Sequence, residues 1–202
     1  HTLQDDMEIM LLCGGPSLND FEDEILENYR NGMKVITMNG AYNWAQERGI
    51  HRVNQCVLDA RPFNKRFVEP VRDDCNYFIA SQCDPSLFEI LPSDRTYFWH
   101  CTGDKEAIDT ISECYDSYFI AGGGSTVALR AIVLMRTLGF KKQHIYGMDS
   151  CLMDGEHHAF EQQENNLIAS DVPVVVGGKT FNCQPWMVYQ AFEFIDMVKH
   201  MG

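Results

Sequence analysis

Two glycine-rich turns carry the first chemistry in this sequence. Cys13-Gly14-Gly15-Pro16-Ser17-Leu18 follows the first apolar run. Paired glycines let a backbone approach a phosphate, and a helix starting there offers unpaired N–H groups and its positive dipole end. The stretch lacks the Gly-Lys-Ser of a phosphate loop and the GxGxxG spacing, so a plain strand-to-helix turn explains it equally well. Gly122-Gly123-Gly124-Ser125-Thr126 is a second such cradle at the head of a later helix. Asn39-Gly40 offers a donor and an acceptor suited to a base edge or ribose. Asp59-Ala60-Arg61-Pro62 adds a carboxylate for a hydroxyl or divalent cation, and a guanidinium. Asn-Gly and Asp-x-x-Pro are also ordinary turn chemistry. Late in the chain come Gly147-Met148-Asp149-Ser150 and Asp154-Gly155-Glu156-His157-His158, whose histidines suit proton transfer near neutral pH. Asp154, His157 and His158 have no standard zinc spacing, and the GxSxG elbow of a triad hydrolase does not occur.

These residues need a scaffold, and the apolar pattern supplies one. Strands are predicted at Met7–Cys13, Lys34–Met38, Val53–Leu58, Asn76–Ala80, Thr96–Cys101 and Gln143–Tyr146. Helices are predicted at Asn19–Arg30, with Asn19 and Glu22 spaced as a capping box, and at Ala41–Arg48. Further helices are expected after Asp84-Pro85, at Lys105–Cys114 and from Ser125 to Leu138. Val172–Val176 and Lys179–Asn182 flank Gly177-Gly178 as a hairpin. A last helix from Pro185 carries the apolar stripe Val188, Ala191, Phe192, Ile195 and Val198. Alternating strands and helices, with short continuous apolar strands, indicate an α/β fold: a Rossmann-like, mostly parallel sheet with helices on both faces. Residues 1–202 read as one domain, with 154–166 as a mobile loop and 1–5 as a remnant of cloning or of a longer protein. In such a sheet ligands lie beyond the carboxyl ends of the strands, and the motifs that directly follow strands, such as Gly14-Gly15, Asn39-Gly40, Asp59 and Gly147 to Asp149, fall there.

Composition narrows the function classes. The chain has 202 residues, 29 acidic against 16 basic, and a formal charge of −13. Such a surface repels polyphosphates, which argues against nucleic acid as a partner but not against a small phosphorylated ligand. Its eight cysteines form no CxxC pair and several sit in apolar runs, so reduced, buried thiols and a cytoplasmic location are expected. No apolar run reaches the roughly 20 residues of a membrane span, and the polar first residues do not read as a signal peptide.

Taken in order, the motifs resemble the 6-hydroxymethylpterin diphosphokinase MptE-like family, which includes the bacterial motility accessory factors (Maf). The resemblance rests on Gly14-Gly15-Pro16-Ser17-Leu18, Val35 to Ala41 with Gly49-Ile50, and Val57-Leu58-Asp59 with Pro62. It continues through Gly123-Gly124-Ser125 with Ala128 and Ala131, Leu138-Gly139-Phe140, Ile145 to Asp149, and Asp154-Gly155 with His158-Ala159. The layout is also similar to bacterial CMP-sialic-acid transferases, whose first loop has Asn-Gly-Pro-Ser where this chain has Gly14-Gly15-Pro16-Ser17. The resemblance implies a nucleotide-dependent transferase in one of two branches. One moves a sugar from a CMP-activated donor to a small hydroxyl acceptor without a metal; the other moves pyrophosphate from ATP, with magnesium, onto a pterin alcohol. It further implies that Gly14, Gly15, Pro16 and Ser17 hold nucleotide phosphates and Asn39 the nucleoside. Gly123, Gly124 and Ser125 would face them across the cleft. Asp59 and Asp149 would serve ribose, acceptor or magnesium, His158 would be the base on the acceptor hydroxyl, and Arg61 would meet the leaving phosphate, with Lys65 and Arg66 as lesser candidates. The lack of three clustered carboxylates and the presence of a loop histidine favour the glycosyl branch. A non-catalytic binding module for a nucleotide or sugar phosphate is the competing class, and a homo-oligomer stays open.

Overall fold

A computed structural model describes residues 7–161 and 171–201. Five parallel strands run in sequence across one sheet: β1 (Glu8–Leu12), β2 (Lys34–Met38), β3 (Asn54–Val57), β4 (Asn76–Ala80) and β5 (Thr96–Trp99). Between them lie α1 (Glu22–Arg30), α2 (Ala41–Glu47) and α3 (Pro85–Ile90). Then follow α4 (Lys105–Cys114), α5 (Val127–Thr137) and β6 (Lys142–Tyr146). The spatial order is β5-β4-β3-β2-β1-β6, every neighbouring pair parallel. Crossovers to a parallel strand are right-handed. The steps from β1 out to β5 therefore place their helices on one face, and the return to β6 places α5 on the other. With both faces covered, Ile9 to Leu12 are fully buried, as are Ile36, Cys56, Val57 and Ile79 in the neighbouring strands.

The order reverses between β1 and β6, which opens a crevice at the carboxyl ends of these two strands. Leu12 pairs with Tyr146, so the chain leaves both strands at the same level. The hairpin β7 (Val172–Val176) and β8 (Lys179–Cys183) stands apart from the main sheet and leads into α6 (Pro185–Met201). It packs on a small separate core of Cys151, Cys183 and Met187, joined by Val174 and Val188.

Two expectations change here. The capping box at Asn19 and Glu22 does not form, because a 3-10 turn over Pro16–Phe21 already leads into α1. The Asn19 side chain serves tertiary contacts instead, accepting from Trp44 Nε1 at 2.8 Å and donating to the Ala159 carbonyl at 2.9 Å. Within the expected loop, residues 159 and 160 touch the strand ends: Ala159 N donates to Gly14 O at 3.0 Å, and the Phe160 ring packs against Gly14 and Gly40. Residues 162–166 of that expected loop, like residues 1–5, lie outside the described residues. Finally, the stripe Val188, Ala191, Phe192, Ile195 and Val198 is not the core face of α6. Met187, Phe194, Met197 and Met201 turn inward, whereas Phe192, Ile195 and Val198 are exposed. Both sides of this helix are apolar, so periodicity alone could not choose between them. The cysteines behave as expected: Cys13, Cys56, Cys75, Cys83, Cys151 and Cys183 are buried free thiols, with Cys101 half-buried and Cys114 exposed.

Candidate functional site

A cavity of about 290 Å³ occupies the crevice between β1 and β6. Six of the expected residues line it: Gly14, Gly15, Asn39, Arg61, Asp149 and His158. Pro16, Ser17, Asp59, Gly123, Gly124 and Ser125 do not.

The loop after β1 is held shut against the loop after β6. Gly15 N donates to Gly147 O at 2.7 Å, and Ser17 N donates to Asp149 Oδ2 at 2.9 Å. The Ser17 hydroxyl donates to the other Asp149 oxygen. A Cβ on Gly15 would lie 2.4 Å from Asp149 Oδ2 and 2.6 Å from Gly147 O, so only glycine allows this approach. Asp149 thus takes the Ser17 donors, and Gly147 O the Gly15 N–H, that the resemblance assigns to a phosphate.

The second glycine cluster repeats the device. Ser125 N and Oγ donate to Glu193 Oε2 of α6 at 3.0 and 2.6 Å. The next residues, Thr126, Val127 and Ala128, line the cavity. Thr126 caps α5 by accepting from Leu129 N at 3.2 Å, and Val127 and Ala128 open the first turn. First-turn N–H groups have no acceptor within their own helix, so α5 presents its positive end to the cavity. A Thr ahead of an apolar helical run is the sequence signal that could have singled out this turn.

Asn39 sits at the end of β2 with φ +48°, an uncommon conformation for any residue but glycine. Its carbonyl accepts from Gln55 Nε2 at 2.9 Å. Gln55 is fully buried in β3, also donates to Phe67 O at 2.8 Å, and accepts from Thr37 Oγ1 at 2.6 Å. A glutamine inside an otherwise apolar strand was the missed sign of this support. Among the described residues the Asn39 Oδ1 atom is buried without a hydrogen-bond partner, as is His157 Nδ1, and both residues line the cavity. Buried polar atoms normally find partners, so two orphans in one cavity mark it as a place for a hydrogen-bonding ligand.

Asp59 acts on Arg61. Its carboxylate accepts from Arg61 N at 2.9 Å and from Arg61 Nε at 2.8 Å. Burial pulls the Asp59 pKa up, but the Arg61 hydrogen bonds outweigh it and hold the carboxyl below its ordinary value. The guanidinium, stacked over Phe63 with 4.8 Å to the ring centroid, is held at the cavity wall.

His158 Nδ1 lies 3.1 Å from the Gly14 carbonyl, which can only accept, so Nδ1 carries the proton and Nε2 is the basic nitrogen. Burial lowers the pKa of the ring below its ordinary value, more strongly than the Gly14 hydrogen bond raises it. The imidazole stacks on Phe160 with centroids 5.7 Å apart. A Cβ on Gly40 would lie 2.4 Å from that Phe160 ring, so both strand-end glycines make room for this segment. Further round, His157 stacks on Trp186 with centroids 6.0 Å apart, and Trp186, Met187 and Gln190 bring α6 to the cavity. Nothing in the sequence pattern linked Trp186 to the site, because α6 follows a hairpin outside the main sheet. Burial pushes the Cys13 thiol up to about 12, so it is a protonated wall residue and no nucleophile. Among the described residues no three His, Cys, Asp or Glu side chains come together as a metal-binding group. No helix among them is long and apolar enough to cross a membrane.

A solved structure with this architecture is the Maf glycosyltransferase from Magnetospirillum magneticum AMB-1, with a TM-score of 0.73 at 15% identity. The alignment covers 99% of this chain and 31% of that one, so this chain spans about a third of its length. At that identity the likeness establishes a shared Rossmann-like fold. No curated protein matches the sequence. The profile of 6-hydroxymethylpterin diphosphokinase MptE-like proteins matches residues 1–155, and the chain belongs to that family.

Proposed function

We propose that this protein is a nucleotide-dependent transferase that moves a sugar from a CMP-activated donor to a hydroxyl acceptor. The observation that carries the reading is the pairing, in one cavity, of the α5 N-terminus with a histidine whose basic nitrogen is Nε2. The first turn of α5 would bind the donor phosphate through backbone N–H groups, with Arg61 beside it for the charge that develops on the leaving nucleotide. Asn39 Oδ1 would accept from the nucleoside. His158 Nε2 would take the proton of the acceptor hydroxyl as its oxygen attacks the anomeric carbon and the bond to phosphate breaks.

The family's name supports a second reading, diphosphoryl transfer from magnesium-ATP to a pterin alcohol. Asp59 and Asp149 are the carboxylates offered to magnesium by sequence, but each is engaged by its own partner, Arg61 and Ser17. They do not form a ready pair.

A thermal-shift panel of CMP, CTP, ATP, GDP and UDP, with and without magnesium, separates the readings. A ligand at 100 times its Kd stabilises by about 2.7 kcal/mol. A metal-independent shift with CMP is expected. A shift only with magnesium and ATP would select the diphosphokinase reading, and no shift with any nucleotide would remove both. Nucleotide binding without turnover of any donor would leave a binding module.

A further inference from the structure

We infer that the outward face of α6 is the interface of a two-fold dimer of this chain. Helix α6 is apolar on both sides. Its inward side is accounted for by Met187, Phe194, Met197 and Met201. The opposite side shows Phe192 at 65% exposure and Tyr189 at 62%, with Ile195 and Val198 about half exposed. At 100° per residue Phe192, Ile195 and Lys199 continue one ridge from the partly buried Val188, the i, i+4, i+7, i+11 pattern that helices use to pack on helices. Lys199 and Asp196 flank Phe192 on this side, so the exposed apolar residues form a stripe with a charged border.

The hairpin enlarges this region. It packs through Val174 beside Val188, at the first turns of α6, while Val172, Val175, Val176 and Phe181 stay exposed. Given aromatic side chains of about 150–250 Å² each, the open apolar area of helix and hairpin is on the order of 800 Å², what one partner contributes to a standard interface. Isolated monomers rarely leave a patch that large open.

Charge selects the occupant. Residues 171–201 contain three acidic and two basic side chains (Asp171, Glu193 and Asp196; Lys179 and Lys199), in a molecule of net charge −13. A basic partner would be drawn to the acidic remainder, and an anionic lipid surface finds no cluster of lysines here. Two copies of this chain repel each other least when they meet through this near-neutral face. A helix ridge crossing its own copy satisfies the two-fold requirement that the same patch serve both subunits. The interface would also clamp the helix that brings Trp186 and Gln190 to the cavity.

Sedimentation equilibrium of the full chain tests this. The expected mass is twice the 23.1 kDa of one chain, falling to the single-chain mass in the double variant Phe192→Asp, Ile195→Asp. Both side chains are exposed, so far-UV circular dichroism should be unchanged. Phe98→Ser, at an exposed apolar position on β5 at the sheet edge, should leave the dimer intact. Amide protection across 188–199 should rise with concentration of the unmodified chain, a readout that needs no variant. A single-chain mass throughout the micromolar range, a dimer that survives the double variant, or monomers that bind neutral lipid vesicles would each overturn the proposal.

Discussion

The carbonyl oxygen of Gly14 fixes the tautomer of His158, and burial fixes its charge. A ring with a lowered pKa stays neutral, and therefore basic, at pH values where an ordinary histidine of pKa about 6.5 is already half protonated. The acidic limb of the kcat/KM profile should accordingly fall below about pH 6.5, with a plateau above it. His158→Ala should lower turnover by about 10²- to 10⁴-fold while nucleotide affinity, read by thermal shift, is retained. Stability carries the same sign: between the folded and unfolded pKa values the unfolded chain binds the extra proton, so folding is favoured as pH rises towards about 6.5. A chemical-denaturation series in which stability increased as pH fell through that window would contradict the assignment. Gly15 poses a purely steric question. Gly15→Ala puts a methyl into both the Asp149 carboxylate and the Gly147 carbonyl, and overpacking of this kind costs about 1–3 kcal/mol, visible as a lower denaturation midpoint. At Gly14 the nearest atoms are side-chain atoms of His158 and Phe160 at 3.2 Å, so Gly14→Ala should disturb activity more than stability. The sequence showed which residues stand at the strand ends, but not that Asp149 and Glu193 would take the anion positions beside the two glycine clusters. Those contacts span 132 and 68 residues, and no local pattern encodes them.

Elements were legible where one local signal decided them. Asn76–Ala80 and Lys105–Cys114 form as the pattern predicts, and Asp84 caps α3 by accepting from Ser86 N at 3.0 Å. The hairpin around Gly177-Gly178 forms because both glycines take the positive φ its turn requires. The pattern failed where two signals competed. At Asn19 a proline-led 3-10 turn displaced the capping box, and in α6 two apolar faces left the core side undetermined. The cap of α5 carries the next prediction. Thr126→Ala removes the acceptor for Leu129 N, at a cost of about 1 kcal/mol, and should lower Tm by about 2–4 °C for a chain of this size. Thr126→Ser should restore it. The frayed first turn is also the proposed phosphate cradle, so the alanine variant should bind CMP more weakly as well. Unchanged affinity in a destabilised variant would place the phosphate elsewhere.

At the scale of the whole molecule, the charge of −13 and the proposed anionic donor pull against each other. The cavity answers with local donors: the first turn of α5, and an Arg61 that is paired with Asp59. Neutral N–H groups act over a few ångströms, whereas the excess of carboxylates acts over the Debye length, about 30 Å at 10 mM salt and about 8 Å at 150 mM. Screening therefore removes the long-range repulsion and leaves the short-range attraction nearly intact. Binding of CMP should become faster and tighter as salt rises from about 10 to about 150 mM, the reverse of a site built on a cluster of lysines. Stopped-flow association rates across that range would show it. A rate that fell with salt would mean that a local positive field, larger than Arg61 can supply, governs entry to the cavity.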